Sequence, residues 1–253
     1  MKMALTSDTH YGFSQRTHAI HEEWLEKLQD KIVSEDVRVL IHAGDWIANK
    51  QDQLPRTLNM FRKYIKIPIV AVRGNHCLWD YSSYPKKTPW DAMNNNHFDW
   101  FKAADIHHLE NGPYLIENHI IVGFDGWYNN VMTPTRDVEM MVRDIQGANP
   151  MMFHNHRAHH ALDNLLDMDV SHYDRSICVT HFPPFTEDDY YLPYCSNPAY
   201  FQPIKDKFDI FCTGHSHQYW NEIQDDCVIL NSGSDYDKPE YIIFETEYDK
   251  EIT

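Results

Sequence analysis

The chain has 253 residues, enough for one large domain with a buried core, and its 42% hydrophobic and 13% aromatic residues argue against an intrinsically disordered protein. The formal net charge of -16 disfavours a nucleic-acid-binding module, because a negative surface repels phosphate backbones. No apolar run is long enough to cross a membrane, and the apolar start at Met1 is too short for a signal peptide, so we expect a cytoplasmic protein without membrane attachment.

The cysteines and histidines indicate a reduced protein with metal chemistry. The five cysteines are odd in number and form no C-x-x-C pair, so neither a disulfide framework nor a zinc finger is expected. Cys178 and Cys212 lie in apolar, strand-like runs and are interpreted as core residues. Seventeen histidines are many for this length, which is a first indication of metal chemistry that their positions must decide.

The sequence has no repeat, low-complexity tract or Gly/Ser linker, so residues 1–253 are predicted to form a single domain.

The first third of the chain alternates between strand and helix patterns. Short apolar runs predict strands at Lys2–Thr6, Val37–Ile41 and Ile67–Val72. Between them, apolar residues at helical spacing predict helices over Thr17–Glu35 and Leu54–Tyr64. This alternation implies parallel strand pairing through right-handed crossovers.

The second half is richer in strands. Five short apolar runs bounded by turn residues are predicted strands: Ile120–Phe124, Ser176–Thr180, Phe208–Thr213, Cys227–Leu230 and Tyr241–Glu245. The segment Val138–Asp167 is predicted to be largely helical, with Pro150 breaking or starting a segment. Two long loops are expected, Leu78–Phe98 and Phe182–Phe201, and loops of that length in a compact domain are often functional.

Five short polar motifs each follow a predicted strand. They are Asp8-Thr9-His10, Gly44-Asp45, Gly74-Asn75-His76, His181 and Gly214-His215-Ser216-His217. Ligands of open α/β sheets gather outside the C-terminal ends of the strands, so the motifs can converge on one site. The first three motifs are spaced by about 30–35 residues, the size of one β-α-β unit, as adjacent parallel strands require.

The side chains of these motifs suit metal ions. Imidazole is a ligand for zinc, iron and similar metals, and carboxylate oxygens suit manganese and other hard divalent cations. Two metals close together need a carboxylate that bridges them. Gly44, Gly74 and Gly214 are expected to let the backbone turn, so that the next side chain points into the site.

The ordered set D-x-H, G-D, G-N-H, H and G-H-x-H resembles the calcineurin-like metallophosphoesterases, and the resemblance extends from Asp8 to His217. It implies an α/β fold, a four-layer αββα sandwich of two mixed β-sheets flanked by helices. It also implies hydrolysis of a phosphate ester with two divalent metal ions, of which manganese is favoured and iron, zinc and nickel are alternatives.

Carried over by position, the resemblance implies a role for each motif residue. One metal would be bound by Asp8, His10 and His217, the other by Asn75, His181 and His215, and both by Asp45. His76 would not bind metal but would contact the phosphoryl oxygens or protonate the leaving group. The nucleophile would be a metal-bound hydroxide.

The sequence departs from the family pattern beside this histidine. Many members carry G-D-x-x-D-R, but Ala48 and Asn49 stand where that carboxylate and that arginine would be, so a protein phosphatase is not expected. Cys77 replaces a frequent acidic residue and is interpreted as structural or as a support of the site. We therefore expect His76 to lack an orienting carboxylate, unless another such as Asp80 replaces it in space.

The favoured activity is a phosphodiesterase acting on a small or nucleotide-like substrate. A phosphomonoesterase, a nuclease and a non-catalytic scaffold with the same fold are the alternatives, and the acidic charge counts against the nuclease. His42, which ends a strand, is interpreted as a core residue or a support of the site. A helix that is solvated or supports the site is expected to carry a histidine cluster: His154, His156, His159 and His160. In the second long loop, three tyrosines either stack on a planar substrate group or pack on the surface: Tyr190, Tyr191 and Tyr194.

Overall fold

The computed structural model describes residues 1–12, 17–48, 51–78, 90–126, 150–183, 204–224 and 227–247. Its strands are β1 (Lys2–Thr6), β2 (Val39–Ala43), β3 (Ile69–Val72), β4 (His107–His108), β5 (Tyr114–Ile116), β6 (His119–Phe124), β7 (Arg175–Thr180), β8 (Ile210–Thr213), β9 (Tyr219–Gln224), β10 (Cys227–Ser232) and β11 (Ile242–Glu245). Its α-helices are α1 (Thr17–Ser34), α2 (Leu54–Tyr64), α3 (Asn75–Leu78), α4 (Trp90–Ala103) and α5 (Pro150–Asp167). Short 3₁₀ helices cover Gln51–Gln53 and Leu109–Asn111.

The strands form two mixed sheets. The first has the order β11-β1-β2-β3-β4, in which β1 to β4 are parallel and β11 is antiparallel to β1. The second has the order β5-β6-β7-β8-β10-β9, with a parallel centre and the antiparallel strands β5 and β9 at its edges. The parallel centre of each sheet is buried on both faces, which explains the nearly continuous apolar runs in the sequence.

Alternate residues of each strand point to different cores. In β1, Met3 and Leu5 face the second sheet, whereas Ala4 faces the helices. In β7, Ile177 and Val179 face the first sheet, whereas Cys178 faces α5. The helices α1, α2 and α4 cover the outer face of the first sheet, and α5 covers that of the second. The predicted four-layer αββα sandwich is therefore confirmed.

The structure corrects several predicted boundaries. The expected loop Leu78–Phe98 ends in α4, where Phe101 is buried in the core, so an amphipathic helix replaces the C-terminal part of that loop. Within Val138–Asp167 the described helix begins at Pro150, a favourable first position because proline has no N–H to satisfy. The short edge strands β4, β5 and β9 were not predicted.

Other predictions fall on residues that the structure does not describe. These are Asn49, Asp80, most of the loop Phe182–Phe201 with its tyrosines, and the side chains of His154 and His156. Among the described residues, no helix combines the length and apolar character needed to cross a membrane. His159 and His160 are exposed on α5, as a solvated helix face requires.

Candidate active site

The polar motifs after β1, β2, β3, β7 and β8 meet at one edge of the two sheets. The Asp8 N–H donates to the Gly44 carbonyl at 2.9 Å, which joins the ends of β1 and β2. Nδ1 of His181 donates to the Ala43 carbonyl at 2.8 Å, which joins the second sheet to the first. The His215 N–H donates to both oxygens of Asp8 at 3.0 and 2.9 Å. Main-chain and side-chain bonds thus fix the ends of β1, β2, β7 and β8 relative to one another.

The turns that carry the predicted ligands have an uncommon backbone. Five of the seven have positive φ angles: Asp8 (48°), His10 (42°), Asp45 (54°), His215 (65°) and His217 (55°). Residues with side chains rarely adopt this left-handed region, and such conformations cluster at functional sites. Local strain therefore marks the same residues that the motifs marked.

The three glycines serve different purposes. Gly44 has a φ of 94° and provides the expected turn. Gly74 and Gly214 are needed for close approach instead: a Cβ on Gly74 would lie 2.0 Å from Oδ1 of Asp45, and one on Gly214 would lie 2.7 Å from Oδ2 of Asp8. The absence of a side chain at these two positions leaves room for the carboxylates.

One donor cluster consists of Asp8, His10 and His217. Nε2 of His10 and Nε2 of His217 are 3.3 Å apart. Oδ1 of Asp8 lies 3.6 Å from Nε2 of His217 and 4.0 Å from Nε2 of His10. A carboxylate oxygen and two imidazole nitrogens thus surround one point.

A second donor cluster lies around His181. Its Nε2 is 3.3 Å from Oδ2 of Asp45 and 3.0 Å from Oδ1 of Asn75. The ring of His215 is 5.0 Å from that of His181, and Asp45, His181 and His215 could together hold one ion. The structure therefore brings all seven predicted ligands into two neighbouring clusters; their role as ligands stays a prediction.

The electrostatics of the site favour an added positive charge. Burial opposes charge on both Asp45 and His181, but their contact outweighs it: the pKa of the Asp45 carboxyl falls well below its usual range and the pKa of His181 rises to about 9. Burial lowers the pKa of His10 and of His215 well below the usual value, so these rings are neutral and keep a lone pair. Buried carboxylates, neutral imidazoles and an amide oxygen are a donor set that fits divalent cations.

His76 lies beside both clusters. Its Nε2 is 3.9 Å from Oδ2 of Asp45, its N–H donates to Oδ1 of the same carboxylate at 2.9 Å, and its ring meets that of His10 edge-on at 4.5 Å. Nδ1 of His76 donates to the main-chain carbonyl of Ala48. The methyl group of Ala48 cannot orient the ring, as expected from the sequence, but the main-chain carbonyl of the same residue does.

Cys77 and His42 are structural, as predicted. The Cys77 thiol is fully buried, and burial raises its pKa to about 12, which excludes a thiolate nucleophile. The His42 ring is buried and stacks on Trp46 at 3.5 Å, and its Nε2 lies 3.2 Å from Oγ1 of Thr9. It supports the turn between Asp8 and His10 from behind.

Comparison with known proteins agrees with this geometry. Residues 1–249 match the family model described as the calcineurin-like phosphoesterase superfamily domain. The chain belongs to this superfamily. It is therefore a phosphoesterase, a hydrolase of ester bonds, and the predicted family and enzyme class are confirmed. The superfamily generally uses divalent metal ions, in agreement with the donor clusters.

Solved structures share the fold at low sequence identity. A phosphopantetheinyl hydrolase from Mycobacterium tuberculosis matches with a TM-score of 0.71 and 14% identity over 98% of each chain. A putative 5'-nucleotidase from Staphylococcus aureus matches with a TM-score of 0.57 and 14% identity, over 98% of this chain and 51% of that one. No curated protein gives a significant sequence match.

A buried ionic network next to the site was not predicted. Asp125 accepts from the N–H of Arg73 at 2.7 Å, from Nε of Arg73 at 2.9 Å and from Arg157 at 2.7 Å. Glu110 contacts the same two arginines at 3.2 and 2.9 Å. The carbonyl of Asp125 also accepts from the His181 N–H at 3.3 Å. Asp125 directly follows the predicted strand Ile120–Phe124, so the strand-end rule that found the other motifs could have found it.

Proposed function

We propose that this phosphoesterase depends on two metal ions and acts as a phosphodiesterase on a small or nucleotide-like substrate. One observation carries the proposal of two ions: Oδ2 of Asp45 lies between the clusters, 3.7 Å from Nε2 of His10 and 3.3 Å from Nε2 of His181. A carboxylate that faces one donor from each set is suited to bridge two ions.

The proposed ligands are the seven motif residues, and manganese is favoured over iron, zinc or nickel. Asp8, His10 and His217 would hold one ion, Asn75, His181 and His215 the other, and Asp45 both. Two divalent cations bound there would lower the pKa of a water molecule and neutralise charge on the phosphoryl oxygens.

The chain itself supplies orientation and a proton donor. The Ala48 carbonyl fixes the tautomer of His76, because Nδ1 must carry the proton that it donates. Nε2 then faces the cluster around Asp45. When Nε2 carries a second proton, so that the ring is an imidazolium, His76 would donate to the phosphoryl oxygens or protonate the leaving group from there. The Asp45 carboxylate accepts from the main-chain N–H of His76 and so fixes the position of this residue relative to both clusters.

The proposed substrate class is supported by the structural neighbours' names, a phosphopantetheinyl hydrolase and a putative 5'-nucleotidase, both of which denote small phosphoesters or nucleotides. A phosphomonoesterase is the second candidate. A nuclease is less favoured because the net charge is -16, and a non-catalytic scaffold is less favoured because the ligand set is complete.

We further propose that residues 1–253 form one domain and that the protein is cytoplasmic.

A metal-by-substrate screen tests this function. Chelator-treated protein would be supplied with manganese, iron, zinc, nickel or magnesium and given bis(p-nitrophenyl) phosphate or p-nitrophenyl phosphate, which share one leaving group. We expect turnover only after metal is added, with the diester preferred. The matched control is Asp163→Asn, which removes an exposed carboxylate on α5. Preference for the monoester would favour the second candidate, and turnover without metal would contradict the proposal.

A further inference from the structure

His217 is held differently from its partners in the first donor cluster. The side chains of Asp8 and His10 are fully buried, whereas 22% of the His217 side chain is exposed. Packing alone fixes a buried ring, but a partly exposed ring needs a hydrogen bond to select its rotamer and its tautomer.

The partner in that hydrogen bond is Asp235. Its Oδ1 lies 3.1 Å from Nδ1 of His217. A carboxylate oxygen accepts, so Nδ1 carries the proton and Nε2 keeps its lone pair. Nε2 is the atom that lies 3.6 Å from Oδ1 of Asp8 and 3.3 Å from Nε2 of His10. Asp235 thus selects the tautomer in which the ring can bind a cation.

The turn that carries Asp235 is closed by its own hydrogen bonds. Asp235 and Lys238 exchange main-chain bonds of 3.0 and 2.7 Å. Oγ of Ser234 donates to the Glu240 carbonyl at 3.0 Å and accepts from the Glu240 N–H at 2.9 Å. Asp235 is 58% exposed, but these bonds fix its main chain, so its carboxylate is presented at a defined position.

The next residue contacts the same cluster. Oδ1 of Asp235 also accepts from the Tyr236 N–H at 2.8 Å. The Tyr236 ring stacks on His10 with centroids 4.3 Å apart and an interplanar angle of 26°, and it lies 5.1 Å from the ring of His217. One turn therefore touches both imidazoles of the cluster, one through its carboxylate and both through its aromatic ring.

We propose that Asp235 is a positioning residue that holds His217 in its metal-binding tautomer and so sets the affinity of the cluster Asp8, His10 and His217. Tyr236 covers that cluster on one side. The inference rests on the proposed metal centre. It concerns one cluster only, since the Asp235 carboxylate contacts His217 and the main chain of Tyr236, both of which lie at the first cluster. Carboxylates behind metal-binding histidines act in this way in other proteins.

Calorimetric titration with Mn²⁺ of the whole chain, stripped of metal, tests the inference. In Asp235→Ala, one class of site should weaken by about 10–100-fold while the other keeps its affinity. Asp235→Asn keeps an acceptor oxygen but loses the charge, so its effect should be intermediate. Asp163→Asn should titrate like the native chain. A purely structural role would instead lower the thermal stability of the metal-free protein and leave the affinities alike.

A second measurement does not depend on metal. The ¹⁵N chemical shifts of the His217 ring, assigned with His217→Gln, should show the Nδ1-protonated tautomer in the metal-free native chain and a mixture in Asp235→Ala. The native tautomer in Asp235→Ala, or two unchanged Mn²⁺ sites, would overturn the positioning role and leave the proposed function standing. A native chain that binds no metal but shows the expected tautomers would overturn the metal centre and the affinity role together.

Discussion

The candidate metal centre and the ionic network around Asp125 are neighbours. Both are built from side chains at strand ends, but they differ in where the positive charge opposite their carboxylates comes from. Both are largely buried and both begin at the C-terminal ends of central strands. In the network, Asp125 and Glu110 face Arg73 and Arg157, so the chain supplies positive charge for each carboxylate. In the centre, the carboxylates face imidazoles.

The difference shows what distinguishes a binding site from a structural ion pair. In the metal-free centre, the positive charge next to Asp45 is a proton on His181, whose pKa rises to about 9. In the network, guanidinium groups fill that role permanently. In the centre, an added cation would therefore replace a proton, whereas the network is a permanent set of ion pairs between the two sheets.

The largest expected effect comes from removing the carboxylate that belongs to both clusters. Asp45→Ala should lower turnover by roughly a thousandfold or more, because stabilisation of charge in the transition state is lost. Its metal content, measured by elemental analysis beside Asp163→Asn, should also fall. Near-native activity in Asp45→Ala would break the comparison, since Asp45 would then be a structural group like Asp125.

In the network, the same kind of substitution should lower the stability of the fold and not the turnover. Asp125→Ala leaves the fully buried Arg73 and the partly buried Arg157 with less compensation and should lower the free energy of unfolding by about 3–5 kcal/mol. Asp45→Ala, compared in the metal-free state by urea unfolding, should lose clearly less. Equal losses for the two variants would show that the centre is as much a structural ion pair as the network.

A smaller effect sharpens the role of His76 within the centre. The Ala48 carbonyl orients this ring but carries no full charge, so it attracts a cationic imidazole less strongly than a carboxylate would. Leaving-group protonation should therefore be modest, and His76→Asn should cost roughly tenfold more turnover with an alkyl than with an aryl leaving group. An equal cost at fixed metal would show that His76 acts on the phosphoryl oxygens.

The smallest effect is expected at Cys77, which adjoins the centre in sequence but lies in the core of the first sheet. Because burial raises the pKa of its thiol to about 12, iodoacetamide should leave it unmodified in the folded chain at mildly alkaline pH. Peptide mapping after alkylation in urea provides the positive control. Rapid native labelling would mean that proximity to the centre alone makes a side chain reactive.

Much of the fold and of the site could be predicted because both depend on local patterns. Apolar runs gave β1, β2 and β3 within two residues of their observed starts. The edge strand β9 and the helix α4 were not predicted. Their sequences, Tyr219–Gln224 and Trp90–Ala103, mix polar and apolar residues with a weak periodicity, so the secondary structure depends on the elements against which they pack. Tertiary context decides such segments.

The sequence by itself determined which side chains meet at the centre, because parallel strands bring their C-terminal ends to one edge and each motif follows its strand directly. Only the tertiary structure decided how those side chains are held. Three hydrogen bonds hold them: His76 to the Ala48 carbonyl, His217 to Asp235, and Arg73 to Asp125. Their partners lie 28, 18 and 52 residues apart in the sequence. Such contacts leave no spacing rule in the sequence, and one of them uses a main-chain carbonyl that every residue possesses.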